Sequence, residues 1–193
     1  MTNPLLTFDP RLSGPPVLGT TDVSFTTEDT AVGRLLVAAT PGGTLLTCAY
    51  AADVAAEDRW LQRLADTVSP RVLRHAAPTD RARRALAAYF AGVSRSLDVP
   101  FDLALASPFQ RDVLTALRER VGYGERTTYA VLATASGHSG ASRAVGTALG
   151  GNPLCVVLPC HRVLPASGGV GGYAGGPAAK AHLLALEAGT LSG

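Results

Sequence analysis

The sequence predicts an α/β protein of the α+β type, with a small N-terminal domain of a sheet plus helices and a mostly helical C-terminal domain containing a helix-turn-helix. β-type runs cluster in the first half, capped helical segments fill the second half, and 47% of the 193 residues are hydrophobic, enough for a sizeable core. We expect an irregular leader over residues 1–21, a structural domain over 22–100 and a second domain over 101–193.

Strand-like runs and helical periodicity define the first half. Residues 34–39 and 44–50 flank Thr-Pro-Gly-Gly at 40–43, a turn cluster typical of a hairpin, and we expect a third strand over 22–27. Apolar residues at helical spacing then predict two helices, marked by Trp60, Leu61, Leu64 and Val68 and by Leu86, Tyr89 and Phe90. Gly92 is expected to end the second of them.

Capping signals predict the helices of the second half. Ser107-Pro108-Phe109-Gln110 is a capping box with proline at the first helical position, and it precedes an apolar stripe of Val113, Leu114, Leu117 and Val121. Thr127 or Thr128 is expected to cap a helix through residue 135. A turn over 137–140 and a further helix over 141–149 follow, a pattern typical of a helix-turn-helix.

The remaining chain combines an extended run, a loop and a last helix. Residues 156–158 are apolar and predict an extended segment, because Pro159 disfavours helical backbone at the residue before it. A glycine-rich loop over 168–176 leads to a helix that begins at Pro177 and is closed by Gly189.

The charges are unevenly distributed along the chain. Sixteen arginines and one lysine, Lys180, face fifteen acids, a net charge of +2 that is too small to indicate a nucleic-acid partner by itself. No carboxylate occurs between Glu125 and Glu187. Such a stretch is either buried and loop-like, or a surface kept free of anions because it meets a polyanion.

Composition also bears on the compartment. No apolar run approaches the roughly 18–20 residues that span a bilayer, and the N-terminus lacks a basic start and an apolar core of a signal peptide. Three cysteines are too few for a disulfide scaffold and suit a reducing compartment. We therefore expect a cytoplasmic protein without a membrane partner.

Cys160 is the best candidate for chemistry. A free thiol needs a nearby cation or base to ionise at neutral pH, and His161 and Arg162 follow it directly, with Glu187 at the end of the last helix. Adjacent side chains point apart in extended backbone, so activation requires a sharp turn or a relaying water. The alternative is an inert buried cysteine. Metal binding is disfavoured, because Cys155 adds only a third ligand.

The residues around Cys160 carry a resemblance to a known family. Pro159-Cys160-His161-Arg162-Val163, preceded by Gly151-Asn152-Pro153 and followed by Gly172-Tyr173-Ala174-Gly175-Gly176, resembles the active-site region of O6-alkylguanine-DNA alkyltransferases, also called methylated-DNA–protein-cysteine methyltransferases. The resemblance covers residues 107–189. The first half is similar only in its general layout of strands and helices.

The resemblance implies a role for each matching residue of the reaction centre. Cys160 would accept the alkyl group, His161 would deprotonate it through a water, and Glu187 would hold the histidine. Asn152 would support the turn that brings these groups together. Tyr129 would help to rotate the nucleotide and would donate a proton to the departing guanine.

The resemblance also implies the partner and the pocket. Arg143 would fill the gap left in the base stack, with Ser142 and Ala144 letting its helix approach the minor groove. The base pocket would be formed by Val163, Val170, Tyr173, Ala174 and Lys180. The implied protein is a monomer that needs no cofactor or metal, binds double-stranded DNA carrying O6-alkylguanine or O4-alkylthymine, and acts once.

Three departures from the family pattern and two other functions stay open. Ala174 stands where some members have a serine, Gly150 replaces a basic residue, and the zinc ligands of some members are missing, since Cys48 stands alone. Taken singly, Tyr129 is by default a packing residue and Arg143 a solvated one, and only their joint agreement with the family's spacing favours the functional roles. The other functions are a cysteine hydrolase using Cys160, His161 and Glu187, and a non-catalytic helix-turn-helix module that senses lesions.

Overall fold

A four-stranded sheet forms the first half of the fold. The computed structural model describes residues 22–190, so the leader expected over 1–21 lies outside it. Strands β1 (Val23–Thr30), β2 (Gly33–Ala39) and β3 (Leu45–Tyr50) are antiparallel neighbours, and β4 (Val72–Arg74) pairs in parallel with β1. The hairpin and the third strand are thereby confirmed. The three residues of β4 are too few for periodicity to predict.

Both faces of this sheet are buried. Alternate residues of β2 point to opposite sides, so Leu36 packs with Leu64 of helix α1 (Val54–Thr67). On the other face, Leu35 packs in a core shared with helix α2 (Asp80–Phe90) and with the second half of the chain. A 3-10 turn, Ala77–Thr79, precedes α2, and Gly92 follows it with a φ of 69°. Both predicted helices are confirmed.

Four helices build the second half, and the helix-turn-helix lies among them. They are α3 (Pro108–Arg120), α4 (Tyr129–Ala135), α5 (Ser142–Gly150) and α6 (Gly176–Glu187). Helices α4 and α5 form the predicted helical pair and both pack against α3. No helix within residues 22–190 has the length and apolar character needed to cross a bilayer.

The capping box before α3 forms only in part. Ser107 accepts a hydrogen bond from the backbone N–H of Gln110 at 3.2 Å, as expected of an N-cap. The Gln110 side chain does not complete the box but donates from Nε2 to the carbonyl of Ala148 at 2.6 Å. Because Gln110 is buried, its amide ties α3 to α5.

The expectation of an extended segment over 156–158 is wrong. Leu158 donates its N–H to the carbonyl of Leu154 at 2.8 Å, so the chain makes a tight turn here, and Val156 has a φ of 70°. The Asn152 side chain explains the difference, because it accepts from the N–H of Leu154 and donates to the carbonyl of Leu158, each at 2.9 Å. These buried bonds outweigh the β-propensity of the valines.

Short backbone pairings connect this turn to the rest of the fold. Strands β5 (Thr127–Thr128) and β6 (Val163–Leu164) pair in parallel, which brings the start of α4 beside the residues after Cys160. On the other side, Cys48 of β3 donates its N–H to the carbonyl of Pro153 at 2.8 Å. The boundary predicted between residues 100 and 101 stays a prediction.

The N-cap of α3 gives a test of this part of the fold. Ser107→Ala removes the acceptor for the N–H of Gln110, and we expect a loss of about 1 kcal/mol in the free energy of unfolding, measured in urea. Thr115→Ala, at an exposed position of the same helix, is the control and should change stability by at most about 0.5 kcal/mol. Equal effects of the two substitutions on the free energy of unfolding would contradict the assignment of Ser107 as the N-cap.

Candidate active site

Cys160 lies in the wall of a cavity of about 290 Å³. The thiol residue is 4% exposed and starts a 3-10 turn, Cys160–Arg162, that leads into β6. The cavity lies between α4, α5 and the glycine-rich loop, and its lining comprises Tyr129, Gly146, Leu149, Gly150, Cys160, Gly172, Tyr173 and Ala174. Larger grooves of about 470 and 630 Å³ are lined by other residues, and none of the described residues in these linings is a cysteine or a histidine.

Adjacent side chains point apart in extended backbone, but Cys160 and His161 lie in a 3-10 turn. The N–H of Arg162 donates to the carbonyl of Pro159 at 2.9 Å, so the backbone turns sharply at the cysteine. His161 is fully buried, and its Nε2 lies 2.7 Å from Oε1 of Glu187. Its Nδ1 has no hydrogen-bond partner among the described residues.

This arrangement determines the form of His161. Burial lowers the pKa of the imidazole, although the hydrogen bond to Glu187 and its charge act in the opposite direction, so the ring is neutral at pH 7. An ionised carboxylate can only accept, so Nε2 must carry the proton. Nδ1 is then a free acceptor inside the protein, as a general base requires.

Glu187 is held ionised by the groups around it. Burial raises its pKa, but hydrogen bonds from His161, Arg162 and Tyr89 together outweigh burial and lower the pKa to about 2. Arg162 donates from Nε and Nη2 at 2.9–3.1 Å, and Tyr89 donates from its hydroxyl at 2.5 Å. The backbone N–H of Gly124 donates to the second carboxylate oxygen at 3.2 Å.

A second group of contacts acts on the sulfur of Cys160. Asn152 Nδ2 donates to Cys160 Sγ at 3.2 Å, and the thiol of Cys155 donates to the carbonyl of Asn152 at 3.4 Å. The pKa of Cys160 is lowered by the neighbouring thiol of Cys155, by the hydrogen bond from Asn152 and by the charge of Lys180, against the opposing effect of burial. The thiol of Cys155 therefore contributes to the electrostatics of the site.

Tyr129 lines the cavity from the first position of α4. Thr128 caps this helix, since its Oγ1 accepts from the N–H of Val131 at 3.3 Å. The ring lies against Gly146 of α5, where a β-carbon would be 3.7 Å from it. Burial, and then the charge of Cys160, raise the pKa of Tyr129, so its hydroxyl keeps its proton.

Helix α5 presents one face to the cavity and another to solvent. Gly146, Leu149 and Gly150 line the cavity, whereas Arg143 and Ala144 in the first turn are exposed and Ser142 is half-buried. Arg143 thus lies on the helix that forms part of the cavity wall, but it does not line the cavity.

Only some of the predicted pocket residues line the cavity. Tyr173 and Ala174 do so, but Val163, Val170 and Lys180 are not among the described residues that form its lining. Lys180 is fully buried behind the wall, and its Nζ donates to the carbonyls of Val163 at 2.7 Å and Gly172 at 3.4 Å. A buried ammonium requires such acceptors, so Lys180 supports the loop from within.

Reasoning from the sequence missed Tyr89, and it did not predict the contacts that Arg162 makes. Tyr89 is predicted only as part of an apolar helical stripe, and nothing in its spacing indicates a bond to Glu187, 98 residues away. Arg162 had a signal, because it is one of the few cations in a stretch without acids and stands two residues from Cys160. Its side chain also donates to the carbonyl of Val121 at 2.7 Å.

Comparisons with known proteins point to one family. Residues 108–189 match a family described as "6-O-methylguanine DNA methyltransferase, DNA binding domain". A methylated-DNA--protein-cysteine methyltransferase of Mycolicibacterium paratuberculosis is 50% identical over 102 residues, which are 53% of this chain and 61% of that protein. This alignment therefore spans about three fifths of the relative's length.

Two solved structures resemble a larger part of the chain. The crystal structure of Mycobacterium tuberculosis O6-methylguanine methyltransferase has a TM-score of 0.72 at 34% sequence identity, covering 88% of this chain and 95% of that one. The structure of Mycobacterium tuberculosis OGT in complex with DNA also has a TM-score of 0.72 at 34% identity, covering 86% and 94%.

The effect of Cys155 on Cys160 is open to direct measurement. Cys155→Ala removes a neighbouring thiol that favours the thiolate, so we expect a higher pKa of Cys160 and slower reaction with a small haloacetamide at pH 7. The rate should fall about tenfold for each pH unit by which the titration moves upward. Rates are measured across pH by mass spectrometry of the Cys160 peptide.

Cys48→Ala is the matched control, because it removes another buried thiol that is not among the contacts that shift Cys160. Its titration curve should coincide with that of the parent protein. An unchanged titration curve of Cys160 in Cys155→Ala would contradict the effect of Cys155 on this thiol.

Proposed function

Because this chain belongs to the family of the methylated-DNA–protein-cysteine methyltransferases, we propose that it repairs DNA by moving an alkyl group from O6 of guanine, or O4 of thymine, to Sγ of Cys160. The observation that carries the proposal is the cysteine in the cavity wall, with Asn152 bonded to its sulfur and the His161–Glu187 pair beside it. The chemistry needs a thiolate, and these contacts favour one.

The transfer is a displacement at the alkyl carbon, with the guanine as the leaving group. The thiol of Cys160 gives its proton, through a water, to Nδ1 of His161, and Sγ then attacks the alkyl carbon. The S–C bond forms as the C–O6 bond breaks, and the electron pair leaves with the guanine, which takes a proton from the hydroxyl of Tyr129. Tyr129 recovers a proton from solvent while His161 releases one, so overall the thiol proton ends on the guanine.

The burial of Cys160 requires the base to leave the duplex. At 4% exposure the thiol is out of reach of a stacked base, so the nucleotide must rotate into the cavity, at a cost of a few kcal/mol. Arg143, exposed on α5, would fill the space left in the stack and recover part of that cost. The small neighbours Ser142 and Ala144 favour approach through the minor groove.

The proposal extends to the course of the reaction and the organisation of the protein. The product is a thioether, which water does not cleave, so each molecule acts once and needs no cofactor. Residues 101–193 would bind DNA and react, while 22–100 would support them. We further propose that the protein acts as a monomer in the cytoplasm, where its three free thiols stay reduced.

Incubation with duplex DNA carrying O6-methylguanine tests the reaction. Intact mass should rise by one methylene per protein molecule, and the added mass should lie on the Cys160 peptide. Cys160→Ala should show no gain, and Cys48→Ala should gain as the parent does. Repeated turnover, or a methyl group on the alanine variant, would refute the proposal; turnover of esters or amides without methylation would instead indicate a cysteine hydrolase.

Arg143→Ala separates the rotation of the base from the chemistry. We expect repair of duplex DNA to slow by about tenfold or more, since losing about 1.4 kcal/mol of compensation costs a factor of ten. The free base O6-methylguanine should react at an unchanged rate. Arg84→Ala, an exposed arginine on α2, is the control and should leave both rates unchanged. Equal losses of both rates for Arg143→Ala would contradict its role in the base stack.

A further inference from the structure

Tyr50, at the end of β3, reaches across from the first half of the chain to the cavity. Its hydroxyl lies 3.4 Å from the hydroxyl of Tyr173, and the two rings meet edge to face, with centroids 5.5 Å apart and an interplanar angle of 78°. Tyr173 lines the cavity together with Cys160. A strand of the sheet thus contacts a wall of the reaction cavity directly.

The loop backbone also lies directly against the ring of Tyr50. A β-carbon placed on Gly175 would stand 2.3 Å from Cζ of Tyr50, far inside van der Waals contact. Gly175 has an ordinary φ of −84°. The need for glycine at this position therefore comes from the close approach of Tyr50 and not from backbone conformation. The ring therefore fits against residues 173–175 as one surface.

The contact with Tyr50 is one of several that hold the loop. From the other side, Lys180 Nζ donates to the carbonyl of Gly172, and the ring of Tyr173 lies edge-on to His161 with centroids 6.3 Å apart. The preceding residues Gly168 and Gly169 have positive φ and are exposed, so they restrain the loop little. The conformation of the wall therefore depends on the contacts made by Tyr50, Lys180 and His161.

Tyr50 itself is well anchored. It is paired with Leu35 in the sheet, and its ring packs against the main core. Burial raises the pKa of its hydroxyl, which therefore keeps its proton at neutral pH.

We propose that Tyr50 is a positioning residue for alkyl transfer, whose ring and hydroxyl seat Tyr173 and Gly175 and so fix the wall against which the rotated base lies. The inference rests on the proposed function and gives the first half of the chain a part in the reaction. Tyr50 does not touch the reacting atoms. It acts through the shape of the cavity.

Two substitutions separate the ring from the hydroxyl. Tyr50→Phe keeps the ring and loses the hydroxyl contact, and we expect alkyl transfer to slow about two- to tenfold. Tyr50→Leu also loses the edge-to-face contact, and we expect a loss of about ten- to a hundredfold. Because the effect is on the cavity, free O6-methylguanine and duplex DNA should be affected alike, while affinity for undamaged duplex stays unchanged.

Hydrogen exchange gives a readout that does not depend on the reaction. Amides of the peptide covering residues 171–176 should exchange at least tenfold faster in Tyr50→Leu than in the parent, with other peptides of the second half unchanged. Tyr123→Phe is the matched control, because it removes a tyrosine hydroxyl that is also 3.4 Å from its partner, the carbonyl of Leu186. It should change neither exchange in the loop nor the rate with the free base.

The outcomes distinguish this inference from the proposed function. Absence of methylation in the parent protein would refute the function, and the exchange experiment would still decide whether Tyr50 holds the loop. Methylation at the parental rate in Tyr50→Leu would overturn the positioning role. If Tyr50→Leu fails to fold, Tyr50→Phe is the deciding variant. A rate of reaction with the free base equal to that of Tyr123→Phe would then overturn the positioning role.

Discussion

The buried carboxylate of Glu187 is the interaction on which the arrangement of the site depends. It accepts hydrogen bonds from Tyr89 on α2, from Gly124 in the loop after α3, and from His161 and Arg162 in the turn that carries the nucleophile. These donors come from separate parts of the chain. A buried charge is tolerated only when it is fully paired, so all of these segments must meet at the end of α6.

This constraint links folding to chemistry. Removing one partner of such a buried pair costs about 3–5 kcal/mol in typical proteins, since the other charge is left uncompensated. The same bonds keep Glu187 ionised, and the ionised carboxylate requires a proton on Nε2 of His161. Assembly of the core therefore leaves Nδ1 of His161 as the free acceptor. The bond to Glu187 alone is enough to fix the tautomer of the imidazole.

Local signals explain which parts of this structure could be predicted from the sequence. Ser107 and Thr128 begin helices by accepting a bond from an N–H three residues ahead, and Gly189 ends the last helix at a φ of 67°. These depend on neighbours in the chain. The short pairings of β4, β5 and β6 depend on distant segments, and the turn at 154–158 depends on the Asn152 side chain, so periodicity could not show them.

The same distinction holds within the site. Cys160, His161 and Asn152 could be identified because they lie within nine residues of one another in a recognisable motif. Tyr89 and Tyr50 could not, because their partners lie 98 and 123 residues away and a tyrosine in a core is ordinarily a packing residue. Lys180 was assigned to the pocket by its position in the motif, whereas its burial turns its ammonium toward backbone carbonyls.

The charge asymmetry of the sequence acquires a different meaning once burial is known. Of the four cations between Glu125 and Glu187, Arg162 is neutralised by Glu187, Lys180 is buried against carbonyls, and Arg126 donates to the carbonyls of Gly124 and Leu184. Arg126 and Arg143 are exposed. The stretch therefore presents two exposed arginines, and none of its own residues is an acid. Such a stretch adds no charge that repels a phosphate backbone, and its exposed cations attract one.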